Sequence, residues 1–152
     1  MFVPVINEMQ EREQAVLLPI AAGFSEEAVI RSLSLLRSQC IRVWLVGEIE
    51  GGVRGNYGVT LQTDYSWRSL PELAAESVVL LTGSIRNVRS LFNNPSFHFM
   101  LNEIVRDGGK IGVSPDEYAY TMAHPFGRHH RLKTAQELPN LLTQLTSHFI
   151  ED

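Results

Sequence analysis

Four groups of side chains in this sequence are of types that can do chemistry. Ser114-Pro115-Asp116-Glu117 offers a hydroxyl beside two carboxylates, Glu26-Glu27 offers a second acidic pair, His124, His129 and His130 offer imidazoles, and Cys40 is the only thiol. A serine nucleophile needs a base within hydrogen-bond reach. The nearest histidine in sequence, His124, falls at the far end of the helix that Pro115 would open, about 10–13 Å away at 1.5 Å per residue. The same four residues read well as a helix start, with Ser114 at the N-cap, Pro115 in the first turn and Glu117 closing a capping box. Glu26 and Glu27 offer a displaced general base, yet they also suit a first helical turn, where carboxylates meet the positive end of the helix dipole. Adjacent histidines point in different directions on any regular element and no second ligand pair stands at metal spacing, so no metal site and no cofactor are expected. Cys40 is expected as a small core residue. Arg128-His129-His130-Arg131-Leu132-Lys133 reads as a basic, solvated loop able to meet an acidic partner. Gly51-Gly52-Val53-Arg54-Gly55 is not a phosphate loop, because no G-K-[ST] follows and no helix opens there.

The elements that must position these groups follow from patterning. The 152 residues suit one domain, with 1–14 as a polar N-terminal extension and 15–152 as the domain proper. A hydrophobic content of 44% provides a core, and a formal net charge of −4 argues against a phosphate-binding basic face, so nucleic acid is not expected as a partner. No apolar run approaches the roughly 18–20 residues of a membrane span. The first residues do not read as a signal peptide and one cysteine cannot form an internal disulfide, so a cytoplasmic protein is expected.

Ala15 to Ile20 is an apolar run of the kind found in a strand covered on both faces. Ser25 then caps a helix with Val29, Leu33, Leu36 and Cys40 at helical spacing, and a second strand spans Ile41 to Val46. A glycine-rich stretch from Gly47 to Gly58 reads as turns, Val59 to Thr63 as a strand, and Leu70 to Ala75 as one or two helical turns. Ser77 to Thr82 is a third apolar strand. Helices fill roughly 85–107, split at Asn94-Pro95 and ended by Asp107-Gly108-Gly109. Lys110 to Val113 is a fourth buried strand, a helix covers Pro115 to His124, and Leu138, Leu141, Leu142, Leu145 and Phe149 mark a closing helix. Alternating strands and helices predict an α/β fold, a doubly wound three-layer αβα sandwich of flavodoxin-like type with a mostly parallel sheet. Ligands of such sheets bind beyond the carboxyl ends of the strands.

Several of these segments, taken in order, resemble the ThiJ/PfpI family, single-domain relatives of the class I glutamine amidotransferase-like fold. Leu17-Leu18-Pro19-Ile20-Ala21-Ala22-Gly23-Phe24-Ser25-Glu26-Glu27 is similar to the family's opening strand and turn. Leu36-Arg37 with Ile41-Arg42-Val43 and Gly47, then Val53-Arg54-Gly55-Asn56-Tyr57-Gly58-Val59-Thr60, match its next two motifs. Leu80-Leu81-Thr82-Gly83-Ser84 stands where the family has L-P-G-G, and Gly109-Lys110-Ile111 begins the strand that leads to its nucleophile elbow. The resemblance runs from about Ala15 to about His124, after which the chain looks shortened. It implies a site built on a reactive cysteine, a glutamate that hydrogen-bonds that thiol, and oxyanion amides. Position by position, the cysteine falls on Pro115, the glutamate on Ala28, and the oxyanion pair on Gly83 and Ser84. An elbow residue sits in a strained turn, often at positive φ, whereas proline is held near −65° and pushes the preceding Ser114 towards extended backbone.

The expectation is therefore a catalytically inactive ThiJ/PfpI-like domain acting as a protein-binding or regulatory module. Its vestigial cleft would comprise Glu27, Ala28, Gly83, Ser84, Ser114, Pro115, Asp116, Glu117 and Tyr118. The alternative is a hydrolase or lyase of the same superfamily with a rebuilt, non-cysteine site using Glu27 or Asp116 as base. The resemblance also implies a homodimer. A further protein partner would meet the cleft, residues 1–14 or the loop 128–133.

Overall fold

The computed structural model describes residues 15–73, 77–81, 85–113, 131–134 and 148–151. Strand β1 (Val16–Pro19) leads into helix α1 (Glu26–Ser38), strand β2 (Val43–Gly47), a hairpin of β3 (Gly52–Arg54) and β4 (Thr60–Gln62), and a short strand β5 (Tyr65–Ser66). Strand β6 (Val78–Leu81), helices α2 (Ile85–Phe92) and α3 (Pro95–Arg106), and strands β7 (Lys110–Val113), β8 (Arg131–Thr134) and β9 (His148–Glu151) follow. The main sheet has seven strands in the order β5-β2-β1-β6-β7-β9-β8. Its first five members run parallel, β9 runs antiparallel to β7, and β8 antiparallel to β9. This is the expected mostly parallel α/β sheet.

Both faces of β1 are buried, so its side chains divide by the two-residue period of a strand. Leu17, with Val79 and Leu81 of β6, faces the Val88, Leu91, Phe97 and Leu101 stripes of α2 and α3. Val16 and Leu18, with Val78 and Leu80, face Val29, Leu33 and Leu36 of α1. The partly buried Val53 and Leu61 bring the β3–β4 hairpin onto that second core. The helices start where local chemistry predicts. Ser25 accepts from the Ala28 N–H at 3.3 Å, and Asn94 caps α3 with Pro95 in the first turn.

Helices α1 and α3 end the same way with different residues. After α3, Gly108 has φ +92°, its N–H donates to Val105 O at 3.1 Å, and the Gly109 N–H donates to Ile104 O at 2.8 Å. After α1, Cys40 has φ +59°, its N–H donates to Arg37 O at 3.0 Å, and the Ile41 N–H donates to Leu36 O at 3.0 Å. Both are Schellman closures, and in α1 a cysteine stands where glycine is usual. Cys40 is accordingly exposed rather than buried in the core as its spacing suggested. The left-handed turn carries it off the helical stripe. Left-handed backbone costs a residue with a Cβ roughly 1–2 kcal/mol, partly offset by the greater entropy glycine loses on folding. Cys40→Gly is therefore expected to raise stability by about 0.5–1 kcal/mol, read as a higher urea midpoint at unchanged m; a lower midpoint would refute this account.

The structure departs from the sequence-based expectations in four further places. Leu70 to Leu73 is not helical; Leu70 and Leu73 instead pack as half-buried side chains against the core on the α2–α3 face. The glycine-rich stretch holds a strand, β3, because Gly52, Val53 and Arg54 pair antiparallel with Gln62, Leu61 and Thr60. Arg131 to Lys133, read as part of the basic loop 128–133, belong to β8, and Phe149, read as part of the closing helix, belongs to β9. Pairing of β9 with β7, and of β8 with β9, gives these main-chain groups partners that a loop or an isolated helix end would lack. Residues 1–14, 115–124, 128–130 and 138–147 lie outside the described residues.

Candidate functional site

The crevice of a doubly wound sheet opens where successive connections leave in opposite directions. Here that place is between β1 and β6, where the main chain of β1 stops pairing with its neighbour. Even-numbered residues of β1 bond towards β2, as in Val16 N–H to Arg42 O at 2.9 Å and Ile20 N–H to Val46 O at 2.8 Å. The odd-numbered residues face β6, as in Val78 N–H to Ala15 O at 3.1 Å. Pro19 is odd-numbered and has no N–H to give. The β1–β6 register accordingly runs only from Val16↔Val78 to Leu17↔Val79.

Asn87 of α2 fills the gap. Its side chain is fully buried; Oδ1 accepts from the Ala21 N–H at 2.7 Å and Nδ2 donates to Pro19 O at 3.4 Å. One carboxamide thus serves the donor and the acceptor that β6 leaves unmet. Sequence reasoning missed Asn87. Its signal is a lone amide beside Val88 and one turn before Leu91, on the apolar face of an amphipathic helix.

Beyond this wedge the turn 21–25 is tied to the hairpin tip. The Gly23 N–H donates to Arg54 O at 2.9 Å, and the Asn56 N–H to Phe24 O at 2.9 Å. Arg86 Nη1 reaches Asn56 Oδ1 at 3.2 Å. Gly23, at φ +88°, lies under the Arg86 side chain, so both its backbone angle and the close approach suit glycine.

Of the residues predicted for the cleft, Glu27 and Ala28 are described. Glu27 is exposed, and Ala28 is half-buried behind the N-cap. Where the resemblance puts a hydrogen-bonding glutamate, α1 presents a methyl group. Gly83, Ser84, Ser114, Pro115, Asp116, Glu117 and Tyr118 lie outside the described residues. The carboxylate that α1 does bury is Glu26, 9% exposed. It is two residues from Ala28, about 200° around the helix at 3.6 residues per turn, and faces the hairpin. Oε2 accepts from the Tyr57 N–H at 2.6 Å and the Val59 N–H at 3.2 Å, while Oε1 is buried without a hydrogen-bond partner among the described residues. Burial alone would push this carboxyl up, but the main-chain N–H groups of Glu26, Val59, Tyr57 and Asn56 together hold it below its ordinary value of 4.5. A carboxylate so held is a poor proton acceptor near neutral pH, so Glu26 clamps the hairpin rather than serving as a displaced base.

The sign of its pH effect follows. A folded-state value below the unfolded one gives stability that is complete above about 4.5 and is lost as pH falls through the lower folded value. Glu26→Gln is expected to lower the urea midpoint at pH 7, with the two proteins converging in acid. A gap that stays constant into acid would assign the loss to something other than charge.

No protein-family model matches this sequence, and no curated protein matches it. Solved structures do. A cysteine-to-alanine mutant of a DJ-1 superfamily protein from Salmonella typhimurium superposes with TM-score 0.60 at 22% identity, covering 74% of this chain and 62% of that one. Drosophila melanogaster DJ-1beta gives TM-score 0.62 at 22% identity, covering 76% and 61%. A two-domain Anabaena variabilis protein with DJ-1/ThiJ/PfpI-like and ferritin-like domains gives 0.62 at 14%, covering 76% and 32%. The chain thus has the DJ-1/ThiJ/PfpI fold, and it spans about three-fifths of the length of the first two of these proteins. Among the described residues no helix is long and apolar enough to cross a membrane.

Proposed function

We propose that this chain is a catalytically silent member of the ThiJ/PfpI family that works as a protein-binding or regulatory module in the cytoplasm. The observation that carries the reading is the acid–base inventory of α1. Ala28 stands where the resemblance puts the thiol-binding glutamate, Glu27 is exposed, and Glu26 is committed to the hairpin. The resemblance puts the thiol at Pro115, where a fixed φ opposes an elbow. Residues 114–118, with Gly83 and Ser84, then complete a cleft that binds without a covalent step. The alternative, a hydrolase or lyase, needs Glu27 or Asp116 as a base in a closed pocket, and the exposure of Glu27 speaks against it. Purified protein is expected to leave methylglyoxal and simple esters unchanged. Turnover abolished by Asp116→Ala or Glu27→Ala would establish the enzyme instead.

A homodimer is the form the resemblance suggests. Exposed Ile30 on α1, with Tyr57 and Val59 on the hairpin tip, supports an interface there, since these are 44%, 87% and 46% exposed. Light scattering is expected to report a dimer that Ile30→Glu converts to monomer; a wild-type monomer at high concentration would refute it. The exposed single thiol Cys40 suits a reducing compartment. Recovery from a cell envelope fraction rather than the cytosol would overturn the placement.

A further inference from the structure

A groove of about 450 Å³ runs between α3 and the connector 67–73 and closes against Ser77 and Gly109. Those two residues precede β6 and β7, so the groove reaches the amino ends of the strands, the opposite end of the sheet from the cleft above, and does not depend on that reading. Its floor is apolar. Trp67, Met100 and Ile104 are 5%, 4% and 8% exposed, and the half-buried Leu70 and Leu73 form the facing wall. The Trp67 indole N–H donates to Ser96 Oγ at 2.7 Å, which fixes the connector to the start of α3.

The rim is unusual in one respect: Phe99 is 67% exposed beside this floor. Glu103 and Asp107 follow it at intervals of one helical turn, and Glu72 stands on the connector side. Among the described lining residues Arg68 is the one cation. The Glu103 carboxylate pairs with Arg106, but on an exposed surface (36% and 69%), where such a pair contributes little and exchanges readily.

We propose that this groove binds an arginine-bearing apolar segment of a partner protein. Charge favours the cation, because Glu72, Glu103 and Asp107 outnumber Arg68 and the Arg106 that pairs with Glu103, and so disfavour an acidic segment. Geometry selects arginine over lysine. A planar guanidinium stacks on an exposed phenyl ring while its fork reaches a carboxylate one turn along the helix. Size selects a short extended segment. From Phe99 to Asp107 α3 advances about 12 Å, the span of roughly four extended residues at about 3.3 Å each. Apolar neighbours of the arginine would cover Met100 and Ile104. The chain's own residues 1–14 carry Glu8, Glu11 and Glu13 against Arg12, the wrong sign for this rim.

Fluorescence anisotropy of a labelled five-residue peptide alternating leucine and arginine tests the proposal on the full chain. The arginine peptide is expected to bind and its glutamate counterpart not to. Phe99→Ala is expected to weaken binding about 5–10-fold. Glu103→Lys with Asp107→Lys is expected to weaken it at least about 30-fold. Urea midpoints close to wild type establish that these surface variants remain folded. Equal binding of both peptides, or binding indifferent to all three substitutions, overturns the proposal. Binding that appears only when Phe2→Ser and Ile6→Ser are introduced would make the chain's own first residues the occupant, and overturns it as well.

Discussion

Replacing Asn87 by leucine, a side chain of similar size, is expected to destabilise the protein by about 3 kcal/mol. The substitution removes no large contact. It leaves the Ala21 N–H and the Pro19 carbonyl buried without their partner, and a buried polar group deprived of its hydrogen bond costs about 1–3 kcal/mol. Asn87→Asp keeps an acceptor for the Ala21 N–H but turns the donor facing Pro19 O into a second acceptor, and is expected to fall below wild type too. The readout is the urea midpoint at constant m. A loss under about 1 kcal/mol for the leucine variant would mean that this amide does not tie the end of β1 to α2.

The second large effect concerns Gly55, whose role is steric. A Cβ at this position would lie 2.6 Å from Glu26 Cδ and 2.8 Å from its Oε2, closer than real Cβ atoms come. The carboxylate cannot simply swing aside, because the Tyr57 and Val59 N–H groups hold it. Gly55→Ala is thus expected to cost about 1–3 kcal/mol, the usual range for forcing a methyl into filled space. The decisive comparison is a double-mutant cycle. In a Glu26→Ala background the obstacle is gone, and Gly55→Ala is expected to cost markedly less. Equal costs in both backgrounds would show that glycine is needed at 55 for its backbone rather than for the carboxylate.

These two sites differ in how far the sequence disclosed them. The apolar runs of β1, β2, β6 and β7 and the capped helix between β1 and β2 are legible because burial on both faces and capping chemistry are local properties. The split at Asn94-Pro95 and the closure at Gly108 are legible for the same reason. Cys40 misled because helical spacing continued through a residue that occupies a left-handed closure, with no glycine to mark the end. The β3–β4 hairpin hid among glycines that also suit turns. Arg131 to Lys133 looked like a solvated charge run, since what makes them part of a strand is a ladder to residues about 17 positions away, beyond local pattern. At the site, counting places Ala28 where the resemblance expects an acid. The division of labour between Glu26 and Glu27 could not, because it depends on which side of α1 the hairpin covers. Asn87 carried a faint signal, an amide on an apolar helix face, but its partners lie 66 and 68 residues away.

The imino acid at the end of β1 has a consequence for how such a protein drifts over generations. Reactive side chains are replaced one codon at a time, and each replacement can erase a chemistry. The seam beside Pro19 depends on none of them, since it arises from a ring closed on the backbone nitrogen. A lineage that keeps Pro19 therefore keeps a seam at the centre of its sheet that the neighbouring strand cannot close and that a side chain such as Asn87 must fill.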